Sequence, residues 1–348
     1  MDEETGRLRW PLAADQAPPA DRGQLFDDAP PAVHHVGVGE YRGLEFLEVN
    51  AKRVINRVPA ASRLPFSHTI NAYRGCSHAC SYCFARPTHA FLGLGVGEDF
   101  ERRIVVKVNA VERVAIEVRS RRWGGEHLAM GTNTDPYQKA EGRYHLTRGI
   151  VEVLGEVRNP FSILTKSTLI LRDLALLRRA AARTEVSVNL SIGTLDRTAW
   201  RLFEPGTPPP RGRVEAVRRL NEAGVPCGVL IAPVLPGLTD DTEHLEEIAA
   251  ACKEAGAVSV SAIALHLRDG VREHFLGELG RLRPDLLPLY ARRFSAGAYQ
   301  PADEQRRIAD TVAAIVQAPV RTTLRERRPE VPAAPLGEQL GLFSPACG

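Results

Sequence analysis

"NAYRGCSHACSYCFARP", residues 71–87, holds Cys76, Cys80 and Cys83 in the spacing C-x3-C-x2-C. The other cysteines of the 348-residue chain, Cys227, Cys252 and Cys347, each stand alone. The chain opens on the acidic MDEETGR with no apolar run behind it, so it does not read as a signal peptide. The longest apolar stretch, around Gly228–Leu238, is too short to span a bilayer and holds two prolines. The expected location is the cytoplasm, where thiols stay reduced and clustered cysteines bind metal more often than they form disulfides. A structural zinc site wants four ligands, so the loop would need His78 or His89 as the fourth. A ferredoxin-type cluster likewise wants four cysteines. Three thiolates suit a cubane cluster in which one iron stays open for an external ligand.

Outward from this loop, short β-rich runs alternate with helical stretches. The runs are His68–Tyr73, Ile104–Val108, His127–Gly131, Phe161–Thr165, Glu185–Gly193, Pro226–Ala232 and Val258–Leu265. The helical stretches are Ala110–Ser120, Thr147–Val157, Leu169–Arg183, Gly212–Ala223, Thr242–Ala255 and Asp303–Gln317. Near-continuous apolar runs suit strands covered on both faces, and such alternation predicts a parallel sheet or an α/β barrel. About six strand–helix units fit, fewer than the eight of a full barrel. The fold class expected is therefore α/β, an incomplete (βα)6 TIM-type barrel. Its cysteine loop follows the first strand at the C-terminal end, where such folds keep their active sites. Residues 1–35, rich in Pro, Ala and Asp, and the Pro-rich tail 319–348 read as disordered extensions. Residues 36–60 form a lead-in to a core domain at 61–318.

At the cysteine loop the chain resembles the radical S-adenosylmethionine (SAM) superfamily, whose signature is C-x3-C-x2-C with an aromatic before the last cysteine, here Tyr82. The resemblance implies a [4Fe–4S] cluster on Cys76, Cys80 and Cys83, with SAM chelating the open iron. It also implies a low-potential electron donor and reductive cleavage of SAM to a 5′-deoxyadenosyl radical, chemistry that belongs to the cofactor. From about Ala61 to Val312 the text is similar to the spore-photoproduct-lyase-like branch. "MGTNTDPYQKAEGRYHLTR", "ILTKST", "VNLSIGTLD" and "VLIAPVLPGLTD" occur in that branch's order. This similarity implies SAM contacts at Lys166, Ser191 and Ala232, with Thr134 and Asp135 near the methionine moiety. One position departs from the branch. Lyases with a cysteine hydrogen donor carry it where this chain has Thr132, and no cysteine lies between Cys83 and Cys227. A threonine O–H bond is too strong to quench a thymine-centred radical, so the hydrogen donor stays unassigned and a different substrate is expected.

Structural readings of the same residues stand beside these. Lys166 can be a solvated charge at a strand end, Ser191 a strand polar residue, and Thr132–Asp135 a turn. Tyr137 and Tyr144 read as packing or rim residues, and His266 as leaning to the core.

The tail contains QLGLF, residues 339–343, which resembles the pentapeptide by which bacterial DNA-maintenance proteins bind the replicative sliding clamp. Leu342 and Phe343 would fill a preformed pocket, Leu340 would pack beside them and Gln339 would bond at the edge. Charge adds little. The formal net is +3, but residues 1–30 carry −4, which leaves +7 on the remainder. A moderately basic body is compatible with a polyanion such as DNA without requiring one. The function expected is a radical SAM enzyme acting in DNA repair or nucleic-acid modification. The alternatives are a protein, RNA or metabolite substrate, or a non-catalytic cluster- or zinc-bearing protein that binds the clamp or DNA.

Overall fold

The computed structural model describes residues 33–59, 62 and 64–316. The clamp-like residues Gln339, Leu340, Leu342 and Phe343, and most of the segment 1–35, lie outside the described residues.

The strands are β1 (Val33–Val36), β2 (Glu45–Val49), β3 (Ile55–Arg57), β4 (His68–Ile70), β5 (Tyr73–Arg74), β6 (Arg103–Lys107), β7 (Leu128–Met130), β8 (Phe161–Thr165), β9 (Val186–Ser191), β10 (Cys227–Val234) and β11 (Val260–Ala264). The helices are α1 (Glu98–Arg102), α2 (Ala110–Val118), α3 (Lys139–Tyr144), α4 (Leu146–Glu156), α5 (Leu174–Ala181), α6 (Arg197–Phe203), α7 (Pro210–Glu222), α8 (Thr242–Glu254), α9 (Arg272–Leu282), α10 (Leu287–Arg293) and α11 (Ala302–Val316).

Six strands run parallel in the order β4-β7-β8-β9-β10-β11, and β3 adds antiparallel on the outer side of β4. The end strands β3 and β11 do not pair with each other among the described residues, so the sheet stays open. This is the incomplete (βα)6 barrel that the alternation predicts. Helices return the chain between strands and cover the sheet with one apolar stripe each. In α8 that stripe is Leu245, Ile248, Ala249 and Cys252, all buried at helical spacing. Helix starts are set locally. Asp196 accepts from Ala199 N at 2.6 Å to cap α6, and Asp241 accepts from His244 N at 2.9 Å to cap α8. Pro210 opens α7, where a missing N–H costs nothing.

Two expectations need correction. The Ile104–Val108 run is a strand, β6, but it lies outside the barrel. It pairs parallel with β2 and antiparallel with β5 in a separate four-stranded sheet, β1-β2-β6-β5. The single run His68–Tyr73 is two strands in two sheets, because the chain leaves the barrel after Ile70 and enters the second sheet at Tyr73. Within the lead-in 36–60, β2 belongs to the four-stranded sheet and β3 to the seven-stranded one, and β1 begins at Val33. Among the described residues no helix is long and apolar enough to cross a membrane.

Candidate active site

The cysteine loop begins where the two sheets meet. Lys107, at the end of β6, donates from its backbone N to Ala72 O at 3.0 Å and from Nζ to Asn71 O at 2.8 Å. Gly75 then turns the chain with φ of 77°, and a Cβ there would lie 2.9 Å from Phe100 O. Cys76 N donates to Phe100 O at 2.8 Å, Ala79 N to Cys76 O and Cys83 N to Cys80 O, both at 3.2 Å.

Buried polar side chains fasten this loop. Thr134 Oγ1 donates to Gly75 O at 2.6 Å, and Gln138 Nε2 donates to the same oxygen at 2.9 Å. Gln138 Oε1 accepts from Ser77 N at 3.0 Å. The wholly buried Arg86 donates through Nε and Nη2 to Cys80 O at 3.0 and 2.9 Å. His78 Nδ1 lies 3.2 Å from Asp135 Oδ2, and Asp135 also accepts from Thr165 Oγ1 at 2.6 Å and Lys166 N at 2.7 Å. Burial works to raise the Asp135 carboxyl, yet His78 and these donors hold it below the usual carboxylate range. The polar atoms of Thr134 and Asp135 are therefore engaged within the protein, tying the ends of β7 and β8 to the loop.

Cys76 and Cys80 are buried, Cys83 is partly exposed, and all three are free thiols. Burial pushes all three thiols up, Cys80 to about 12 with Glu204 adding to the effect. Such thiols are poor anions on their own. Ligands of a single tetrahedral ion must converge on one point, whereas a cubane spreads three thiolates over three irons. Among the described residues no three His, Cys, Asp or Glu side chains are grouped to hold a single metal ion. Of the histidines considered as a zinc ligand, His78 Nδ1 faces Asp135 Oδ2 at 3.2 Å and His89 Nε2 faces Arg103 O at 3.0 Å, while His89 Nδ1 is buried without a hydrogen-bond partner. Cys227 and Cys252 are buried in the main core, away from the loop. Three free thiols on one short loop are the donors that a cluster on Cys76, Cys80 and Cys83 would use.

A second group meets at the C-terminal ends of β8, β9 and β10. Lys166 Nζ donates to Ser191 Oγ at 2.9 Å and to Ala232 O at 3.1 Å, and Ser191 Oγ donates to Ala232 O at 3.0 Å. Lys166 Nζ also lies 5.5 Å from the centroid of the buried Tyr82 ring. The structure thus brings together Tyr82, Lys166, Ser191 and Ala232. Lys166 is not a solvated charge, since its side chain is only 14% exposed.

The residue that organises this group is absent from the sequence reading. Glu204, buried after α6, pairs with Lys166 at 2.9 Å and with the buried Arg213, and accepts from the Tyr82 hydroxyl. Burial opposes its charge, but Arg213 and Lys166 hold it well below the usual carboxylate range. Arg213 Nη1 in turn donates to Ser191 O at 2.9 Å. The signal available in the sequence was slight: one carboxylate in "FEPGTPPP", a Pro-rich turn that reads as surface. Tyr137 is core packing, and Tyr144 bonds Glu48 Oε1 at 2.7 Å against Phe46. His266, expected to lean to the core, instead stacks on the exposed Tyr299 at the rim. Thr132 is partly exposed in the loop after β7.

Residues 70–265 match the radical SAM superfamily. An uncharacterized protein of Mycobacterium tuberculosis is 41% identical over 315 residues, 89% of this chain and 92% of the relative. Among solved structures, a spore photoproduct lyase complexed with dinucleoside spore photoproduct superposes with a TM-score of 0.57 at 18% identity, covering 78% of each chain. A mutant of that lyase with bound AdoMet and dinucleoside spore photoproduct gives 0.56 at 18% identity and the same coverage. At that identity the likeness is one of fold. The chain belongs to the radical SAM superfamily. It is an enzyme of the radical SAM class with the fold of spore photoproduct lyase.

Proposed function

We propose that this enzyme holds a [4Fe–4S] cluster on Cys76, Cys80 and Cys83, binds SAM beside Tyr82, Lys166, Ser191 and Ala232, and acts on DNA in the cytoplasm. What such a cluster and SAM supply when bound is one-electron cleavage of the sulfonium and a 5′-deoxyadenosyl radical that abstracts hydrogen. The observation that carries the reading is the convergence of Lys166, Ser191, Ala232 and Tyr82 on the strand-end rim that bears the cysteine loop. Lys166 offers a cation for a carboxylate, and Glu204 with Arg213 fixes where that cation sits. Thr134 and Asp135 serve by holding the loop, through Gly75 O and His78. Tyr82 is oriented by Glu204 and lies in one apolar cluster with Cys80 and Cys83. A low-potential electron donor is required as a partner. QLGLF adds the sliding clamp as a second partner, tested by calorimetry of a 335–346 peptide against purified clamp, where no heat of binding would end that assignment.

The DNA reading rests on the lyase-like fold together with the clamp-like tail. Its test is the reconstituted, reduced enzyme with SAM and a panel of oligonucleotides carrying defined lesions. A lesion-bearing oligonucleotide is expected to raise 5′-deoxyadenosine formation above the substrate-free rate. Stimulation by RNA, peptide or metabolite fractions and by no DNA would replace the substrate class. Because Thr132 stands at the lyase cysteine position, repair of spore photoproduct through a cysteine hydrogen donor on the same loop is not expected.

A further inference from the structure

Three aromatic rings from three separate segments form a ledge on the rim beside the cysteine loop. Phe84 directly follows Cys83 and is 54% exposed. His266 lies just past the end of β11, and Tyr299 precedes α11 and is 52% exposed. Two of the rings are stacked and the third is tilted against them. His266 and Tyr299 are stacked with centroids 5.6 Å apart and planes 25° apart. Phe84 and His266 are 6.3 Å apart with planes 33° apart. Arg268 ends the row, its guanidinium 5.8 Å from the Tyr299 centroid and its Nη2 donating to the Tyr299 hydroxyl at 2.7 Å.

The ledge is built rather than incidental. An antiparallel bridge joins His266 to Tyr299, and Leu267 N donates to Ala298 O at 2.7 Å. Gly270, on the loop after Arg268, lies against Pro87, so the loop is packed on the segment that follows the cysteines. The molecule's other aromatic neighbours in this lobe, Phe203, Phe275, Tyr290 and Phe294, are buried. Large rings left partly in water, in a row on a fixed backbone, mark a surface kept for a flat ligand.

We propose that Phe84, His266 and Tyr299, with Arg268, form a stacking subsite for the unpaired bases of a single-stranded or locally opened DNA substrate. This deepens the DNA reading above and rests on it. Every base offers a π-face, so stacking binds without regard to sequence, and arginine beside the rings meets the phosphate backbone. Bases in a duplex are stacked on each other and cannot use such a ledge, so the ligand must be unpaired or have its bases splayed out. Burial and the Arg268 charge lower the His266 pKa, which keeps the imidazole neutral near pH 7 as a stacking face. The ledge adjoins Cys83, so bases held there flank the base presented to the reacting centre.

The test is fluorescence anisotropy of a labelled mixed-sequence single strand with the cluster-loaded protein and its variants. Stacking worth of one base predicts that Tyr299→Ala weakens binding about five- to hundredfold. Tyr299→Leu keeps apolar area but lacks the π-face, so it should be as weak as Tyr299→Ala, while Tyr299→Phe should stay within about twofold of wild type. His266→Ala should weaken binding in the same sense. Iron content and thermal midpoint check that each variant is folded, and Tyr299→Phe against Tyr299→Leu decides the matter even if an alanine variant misfolds. Wild-type binding unchanged by Tyr299→Leu and His266→Ala would overturn the ledge and leave the DNA reading standing. Equal affinity for a duplex and a single strand would likewise overturn it. No oligonucleotide binding by wild type would remove the DNA reading together with the ledge.

Discussion

Replacing Cys80 by Ala is expected to reduce reconstituted iron from about four per chain to background and to remove the visible thiolate-to-iron absorbance. Cys80 is buried on a loop whose geometry Arg86 fixes, and among the described residues the thiols outside this loop are held elsewhere in the fold. Cys227 and Cys252 lie in the main core, on β10 and α8. Cys227→Ala and Cys252→Ala should therefore leave iron and sulfide content unchanged. Iron analysis after anaerobic reconstitution checks this. Full iron in Cys80→Ala, or lost iron in Cys227→Ala, would show that the ligand set is wrong.

Glu204→Leu is expected to have the second largest effect, on stability rather than on the cluster itself. The Arg213 side chain is 1% exposed, and removing its carboxylate leaves a buried guanidinium without its counter-charge. Breaking one side of a buried pair costs about 3–5 kcal/mol. Removing both sides together costs far less, so Glu204→Leu with Arg213→Met should recover much of the loss. The same pair makes stability depend on pH. The Glu204 carboxyl is held well below its ordinary value in the folded state. Its contribution is thus fully present above the unfolded value of about 4.3 and is lost as pH falls toward the folded one. Denaturation midpoints of wild type, the single variant and the double variant, taken at neutral and acid pH, measure both effects. A single variant within about 1 kcal/mol of wild type would mean that Glu204 does not organise the site.

Much of the barrel is legible because its signals are local. The helix ends at "NEAGVP" and "KEAGAV" fall where Gly224 and Gly256 predict them, each at the position after the cap with φ of 78° and 76°. β8 and β9 match their apolar runs, and Lys166, Ser191 and Ala232 fall at strand ends as the barrel requires. What was hidden depends on distant partners. β6 has the composition of a barrel strand, and only its pairing with β2 from the lead-in removes it to the second sheet. α9 and α10 were unseen because their segment mixes Arg, Glu and Pro with the apolar residues. Their buried residues, Phe275, Leu279 and Tyr290, belong to the apolar cluster that also holds Cys80 and Tyr82, separate from the main core cluster. Glu204 and Arg213 look like surface charges until the fold sets them against Lys166 and Tyr82. Cys76, Cys80 and Cys83 stand out for the opposite reason: three thiols in one short loop are conspicuous by their spacing alone.

The most direct measurement is reductive cleavage of SAM by the anaerobically reconstituted full-length protein with dithionite and no other substrate. Chromatography should detect 5′-deoxyadenosine and methionine from the wild type and neither from Cys80→Ala. A wild type carrying its full complement of iron and sulfide that releases no 5′-deoxyadenosine, with or without DNA, would contradict the account.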